Sequence, residues 1–506
     1  MARGGRVRNV AVVLLAVGVM LVPGCKEKNH VPGTPVVPYG PDSGVVGFSY
    51  KFSSSAADPH CDSVAIRFDW GDGDTSDWGA WVYPDAWVVR NHSWSRLGTF
   101  SVTAQARCTG SVSAWSDALQ VQIGPVVLRW VKTFGGTASD RGSSVQETQG
   151  GGYIVTGHSG SFGAGGYDAW LVKTDPNGDT VWTRTFGGAG WDEGTMGQET
   201  SDGGFILAGQ TASSGAGQTD LWLVKTDARG DLVWDKTFGG VDYDGGYAVE
   251  EARDGGYVAT GYTWSYGAGH GDVWLIKTDA GGNLVWDRTY GIWADEEWGE
   301  SVQQTQDDGY IIAAVTCPCA DEPGDVWLIK TDAAGNRVWD RVYGGLGADW
   351  VHSVRQTLDG GYIAAGYTES YGAGGRDAWL IRTDADGNLV WDKTYGGAKA
   401  DMAASVQLTD DGGYIVAGYT GSYGAGGHDV WLVRTGPNGD TLWTRTFGDA
   451  GDDEGCSVQR TEDGGYIVVG TTESYGAGKD DVWLVKTGPN GELDEGGGEV
   501  RSPKSE

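Results

Sequence analysis

Residues 338–383 carry the reading of the fold. They run Val338-Trp339-Asp340-Arg341-Val342-Tyr343-Gly344-Gly345, then Ser353-Val354-Arg355-Gln356-Thr357 and Asp359-Gly360-Gly361. Tyr362-Ile363-Ala364-Ala365-Gly366-Tyr367-Thr368 follows, then a glycine-rich loop from Ser370 to Arg376 that leads to Asp377, then Ala378-Trp379-Leu380-Ile381-Arg382-Thr383. These are four strand-length runs. The connections Asp359-Gly360-Gly361 and Asp384-Ala385-Asp386-Gly387-Asn388 have the Asp/Gly/Asn chemistry of tight hairpins. No apolar period of 3.6 competes with them. The unit recurs. Trp130, Trp182, Trp234, Trp286, Trp339, Trp391 and Trp443 follow one another at steps of 52, 52, 52, 53, 52 and 52. A second series keeps the same register: Trp170, Trp222, Trp274, Trp327, Trp379, Trp431 and Trp483.

A four-stranded antiparallel unit with apolar residues on both faces cannot bury either face alone. Units stacked round an axis bury both, so residues 127–491 read as a β-propeller. Small residues such as Ala364, Ala365 and Gly366 suit crowded inner strands, and Trp suits wider gaps further out. The ends set the count. Val127–Phe134 matches only a fourth strand, and the last repeat lacks its own fourth strand after Gly491. The expected architecture is all-β: seven four-stranded blades and 28 strands, closed by the N-terminal strand with no free sheet edge. The pattern Gly-Gly-Tyr-Ile-Val-Ala-Gly resembles bacterial exported propeller-repeat proteins. WD repeats fit poorly, because the period is too long and no Gly-His partner recurs. In kelch repeats the Trp lies much closer to the Gly-Gly.

Composition agrees. Of 506 residues 88 are glycine, more than twice the usual share of about 7%. The collagen spacing is absent, so glycine punctuates turns. Lys+Arg is 36 against 68 Asp+Glu, a net charge of −32 that disfavours nucleic-acid partners.

The N-terminus has a targeting pattern: Arg3, Arg6 and Arg8, then an apolar run from Val10 to Val22. Leu21-Val22-Pro23-Gly24-Cys25 resembles a bacterial lipoprotein box, although Pro23 departs from the usual small residue. The resemblance implies a signal over residues 1–24, lipidation of Cys25, a membrane anchor and an extracytoplasmic location. Residues 25–43 read as a linker, with Pro32, Pro35, Pro38 and Pro41 at the three-residue period of polyproline II. Residues 44–124 contain short alternating strands, including 45–52, 64–70 and 99–106. Phe68-Asp69-Trp70-Gly71-Asp72-Gly73-Asp74, with the later His92-Ser93-Trp94-Ser95 and Gly98-Thr99-Phe100, resembles the PKD family of Ig-like β-sandwiches. Cys61 and Cys108 flank these strands and are expected to pair as a disulfide. Residues 492–506 read as a disordered tail.

The longer loops of the repeats share one face and are acidic, which makes that face the candidate for binding. One carboxylate series is Asp140, Asp192, Asp244, Glu296, Asp349, Asp401 and Asp453; in the fourth repeat an inserted residue allows Asp295 or Glu297 to replace Glu296. The other is Asp168, Asp220, Asp272, Asp325, Asp377, Asp429 and Asp481. Two readings stand side by side: a ring of carboxylates for Ca²⁺ or a polar ligand, and Asp residues that tie their own loops by accepting backbone N–H bonds. Sevenfold repetition favours the second. The fourth repeat breaks the pattern with Cys317-Pro318-Cys319, Trp293 and Trp298, an aromatic-acidic candidate patch. Gly372–Leu380 partly matches a calcium nonapeptide but is not in tandem, so a β-roll is rejected. The histidines of the repeats, His158, His270, His352 and His428, read as non-equivalent loop residues. No metal spacing, P-loop or nucleophile elbow is found. The expected function is non-enzymatic binding of a glycan or protein. The rivals are a propeller hydrolase or lyase with an axial site and a structural envelope component.

Overall fold

The computed structural model describes residues 30–46, 49–60, 63–124, 129–291, 296–317 and 323–493. Every element among them is a β-strand. The chain divides into two compact units between Val126 and Val127.

In the first unit, one sheet orders its strands Ser43–Val45, Leu119–Gly124, Gly98–Cys108 and Ala65–Asp69, and Ser111–Trp115 also pairs with Gly98–Cys108. Tyr50–Ser54 and Val88–His92 form a second sheet. The run 45–52, expected as one strand, therefore divides between the two sheets. The core joins Phe52, Phe68, Trp70, Trp94 and Phe100. Trp70 stacks between Phe68 (5.2 Å) and His92 (4.6 Å), and the Trp94 indole donates to the Trp70 carbonyl at 3.2 Å. His92 Nε2 meets Asp72 Oδ2 at 2.8 Å. The Asp-x-Gly and His-x-Trp motifs thus meet in one core.

The proline-rich segment is not a free tether over its described part. Pro32, Pro35 and Pro38 are buried, and Gly33, Val36 and Tyr39 donate to the carbonyls of Ala57, Ser55 and Ser53 at 3.0, 2.9 and 2.8 Å. A three-residue period that signals a spacer also presents one face to an edge strand. Cys25 and Cys61 lie outside the described residues. Cys108 is buried, and its Sγ is 3.3 Å from the His30 carbonyl.

Residues 129–493 build seven four-stranded sheets. In the fifth, Asp349–Gln356, Tyr362–Thr368, Asp377–Thr383 and Leu389–Tyr395 follow in order. The seventh takes its fourth strand from the start of the region: Trp130–Phe134 pairs antiparallel with Asp481–Thr487.

Each sheet is fixed to the next by the two Trp series. The fourth-strand Trp meets the Tyr or Phe opening the next sheet's second strand edge-on: Trp339–Tyr362 at 5.7 Å, Trp443–Tyr466 at 5.9 Å and, from seventh sheet to first, Trp130–Tyr153 at 5.7 Å. The same ring presses on the next hairpin turn. At Gly335 (φ +75°) a Cβ would come within 2.7 Å of the Trp286 ring, so both conformation and space demand glycine. The third-strand Trp is buried, and in the four sheets whose fourth strand carries Trp-Asp it donates to that Asp: Trp222 to Asp235 at 3.2 Å, Trp274 to Asp287 at 3.1 Å, Trp327 to Asp340 at 3.0 Å and Trp379 to Asp392 at 3.1 Å.

Hydrogen bonds follow the same succession. The first-strand amides of Gln356 and Glu199 donate to Gln303 and Gln146 of the preceding sheet, both at 2.6 Å, and Glu147 of the first sheet donates to Gln459 of the seventh at 2.5 Å.

Trp379→Ala removes a ring that is 3% exposed together with its bond to Asp392, and is expected to cost about 3–5 kcal/mol in denaturant unfolding. Deleting residues 129–134 leaves the Asp481–Thr487 edge unpaired and Tyr153 without its Trp; a marked fall in melting temperature is expected.

Candidate functional site

The first carboxylate series is buried, and its members hold their own loops. Asp244 accepts from the Gly240 amide at 2.8 Å, from Ser265 Oγ at 2.7 Å and from the Thr263 hydroxyl. Asp140, Asp192, Asp401 and Asp453 repeat this with Ser161, Ser213, Ser422 and Ser474 (2.6, 2.5, 2.6 and 2.6 Å). Asp349 accepts from Gly345 N at 2.8 Å and Ser370 Oγ at 2.6 Å. Their oxygens are turned into the protein, so this series is not an open ligand ring. In the fourth sheet the position belongs to buried Glu297, which pairs with Thr316 as Asp244 pairs with Thr263; Glu296 stands one residue earlier and half-buried. Asp295 and Trp293 lie outside the described residues.

The second series caps the glycine-rich loops. Asp168, Asp220 and Asp429 accept from the amides of Ala164, Ala216 and Ala425 at 2.8, 2.8 and 2.9 Å. Asp272, Asp377 and Asp481 each accept from two successive amides. Asp325 differs: burial and the neighbouring charge of Asp349 push its carboxyl up to about 6. Among the described residues no three His, Cys, Asp or Glu side chains come together as a metal site.

The repeat is least regular on the first strands. Each carries a β-bulge, where one residue is skipped in pairing with the second strand. The bulge explains the last Gly of the repeated motif: a Cβ on Gly366 would lie 1.8 Å from the Trp350 carbonyl oxygen. The fourth sheet has Ala314 at that position. The skipped residues are Ser143, Thr195, Tyr247, Glu300, His352, Ala404 and Cys456, no two alike. Two positions earlier stand Arg141, Glu193, Gly245, Trp298, Trp350, Met402 and Glu454. First strands of consecutive sheets are neighbours, and that of the seventh also neighbours that of the first.

Trp298, the one described member of the expected aromatic patch, stacks on Trp350 (5.6 Å, 23°), and Trp350 lies parallel to Tyr367 (6.4 Å, 8°). The Arg376 guanidinium covers Tyr367 at 4.7 Å. Three histidines each face a Glu of an adjacent sheet: His158–Glu193 at 3.8 Å, His352–Glu300 at 3.7 Å and His428–Glu454 at 3.0 Å. His158 and His352 stand on strands, not in loops as the sequence suggested. Burial, against the pull of Glu193, lowers the His158 pKa and favours its neutral form. Burial pushes the Cys456 thiol up to about 12, which leaves no thiolate nucleophile at neutral pH.

No protein-family model and no curated protein matches the chain. Among solved structures, it is similar to the PKD domain of an M14-like peptidase from Thermoplasmatales archaeon SCGC AB-540-F20, with 30% identity, 18% of this chain and 94% of that one covered, and a TM-score of 0.17. It is also similar to fibronectin(III)-like modules of Clostridium thermocellum CbhA, with 10% identity, 42% and 93% covered, and a TM-score of 0.14.

Replacing Asp244 by Ala strands the Gly240 amide and two hydroxyls, at an expected cost of about 3 kcal/mol, whereas a chelator should leave the melting temperature unchanged. Asp325 has a folded pKa of about 6, above its unfolded value. Its protonated form therefore stabilises the fold at acid pH, and that stability is lost as pH rises through the folded value. Asp325→Asn should flatten this part of the melting profile and raise the melting temperature at neutral pH.

Proposed function

We propose that residues 129–493 form a closed seven-bladed propeller that binds a glycan or protein at the mouth of its axis without catalysing a reaction. A PKD-like sandwich precedes it, in a chain exported and anchored through Cys25. Closure is supported by the Trp130–Phe134 strand in the last sheet and by the Trp–Tyr contacts and amide links that join seventh sheet to first.

One observation carries the binding reading. The repeats share the Trp, Asp and Gly residues that join the sheets and hold the loops, and diverge on the first two strands: at two positions of the first strand, and at the sixth of the second, where His158, Gln210, Tyr262, Val315, Tyr367, Tyr419 and Thr471 stand; in a propeller the first strands line the axis. Aromatic faces at Trp298, Trp350 and Tyr367 beside polar groups suit a partly apolar ligand. Binding to a glycan and protein array by the purified chain, abolished by Trp350→Ala with the melting temperature retained, is the expected result. The rival with an axial catalytic site draws on the Glu300–His352 pair. It requires turnover of a bound glycan that Glu300→Gln removes; unchanged glycan after long incubation supports the binding reading.

A further inference from the structure

At the hairpin ends of the strands a repeated link ties each sheet to the next. Two residues past the end of a first strand, a backbone amide donates to the side chain that ends the first strand of the following sheet. Gln149 donates to Glu199 and Ser201 to Glu251 at 2.7 Å, Arg253 to Gln304 at 2.9 Å, Gln306 to Gln356 at 2.8 Å and, from seventh sheet to first, Glu462 to Glu147 at 2.8 Å. Between sixth and seventh sheets, Asp410 and Arg460 form an ion pair at 2.6 Å instead. Between fifth and sixth the two positions are Leu358 and Leu408. A hydrocarbon side chain offers the Leu358 amide no acceptor.

This junction is open. A cavity of about 320 Å³ lies in it, lined by Leu358, Val390 and Trp391 from the fifth sheet and by Leu408, Tyr414 and Pro437 from the sixth. Leu358 is 80% exposed and Val390 59%, so apolar wall is reachable from solvent. The deeper wall is fixed: Leu408 packs on the core between the two sheets, and Trp391 stands edge-on to Tyr414 at 6.0 Å. Arg382 also lines the cavity, but its guanidinium is engaged. Nη2 donates to both Asp359 oxygens at 2.6 Å, and Nε donates to the Tyr414 hydroxyl at 3.2 Å. The Asp359 side chain itself is 70% exposed.

The chemistry of the cavity selects its occupant. Two leucines where the other junctions have polar links suit an apolar group, and an exposed apolar wall of this kind marks an interaction site. The volume is at the low end of the roughly 300–1,000 Å³ of small-molecule pockets, room for one large side chain. The Leu358 amide needs an acceptor, and a peptide carries a carbonyl beside each side chain. An acyl carboxylate, by contrast, is repelled by Asp359 and by a chain of net charge −32, whereas basic residues are drawn to both.

We propose that the junction of the fifth and sixth sheets docks an extended peptide of a protein partner. One large apolar side chain fills the cavity, basic residues flank it beside Asp359, and a backbone carbonyl accepts from the Leu358 amide. The site lies at the opposite strand ends from the glycine-rich loops and does not depend on the axial reading.

The full chain, labelled with ¹⁵N, is titrated with N-acetyl-Lys-Trp-Lys-amide, with its counterparts N-acetyl-Lys-Ser-Lys-amide and N-acetyl-Glu-Trp-Glu-amide, and with octanoate. The Lys-Trp-Lys peptide is expected to shift the Leu358 amide resonance saturably, with a Kd of about 1 mM or tighter, and the other three to bind at least about tenfold more weakly. Replacing Leu358→Gln and Leu408→Gln together installs the link seen between Gln306 and Gln356. The melting temperature should hold or rise while peptide affinity falls at least about tenfold. Leu358→Ser, at an exposed position, keeps the fold and should weaken the peptide on its own. The proposal is overturned by equal binding of the Ser or Glu peptide, by binding that both variants retain, or by no shift at Leu358 with about 5 mM peptide. Octanoate binding in place of the peptide, lost in the double variant, also overturns it and assigns the cavity to an acyl chain.

Discussion

A tryptophan ring set edge-on to a tyrosine of the next sheet, and pressed against the glycine of the next turn, is the contact on which the repeat region depends. It fixes the distance between sheets, because the ring fills the gap and tolerates no Cβ beneath it. It fixes the period, because Trp, Tyr and Gly must recur in step for one sheet to fit the next. It also fixes what the last unit needs: Tyr153 of the first sheet requires a Trp from the seventh, and Trp130 provides it. The side chains that seal each sheet against its neighbour are the ones that make the sequence periodic.

The abundant carboxylates have a matching structural role. A loop that leaves one sheet and enters the next carries backbone amides that no strand partner satisfies. Asp140, Asp192, Asp244 and Asp401 gather an amide and two hydroxyls apiece, and Asp377 and its counterparts collect the amides of the glycine-rich loops. An acidic composition thus arises partly from folding needs, and the acid count alone says little about ligands. Asp325 marks where that logic changes, with its carboxyl drawn toward neutrality beside Asp349.

The strand pattern was legible because hairpin chemistry and the two Trp series each repeat at one spacing: the strand Tyr362–Thr368 coincides with the run read, and Asp377–Thr383 begins one residue before it. The break in the fourth repeat pointed to Trp298. Its partners stayed hidden: Trp350, His352 and Tyr367 belong to a repeat that looks regular, and a bulge adds no residue to the period. Counting ten residues from Trp286 gives Glu296, yet pairing register assigns the buried position to Glu297, because the inserted residue precedes it. His352 was read as a loop residue because its neighbours follow no simple alternation, itself a consequence of the bulge.

The strand Trp130–Phe134 and its partner Asp481–Thr487 stand at opposite ends of the repeat region. During synthesis the first of these emerges before any of the seven sheets and stays without a ladder until the last has been made. The intervening sheets can form from local hairpins, but the final one waits on the longest loop closure in the region. Its completion carries the largest loop-closure cost among the seven sheets, and in a chain shortened before residue 481 the Trp130–Phe134 strand has no ladder partner and can be captured by other chains.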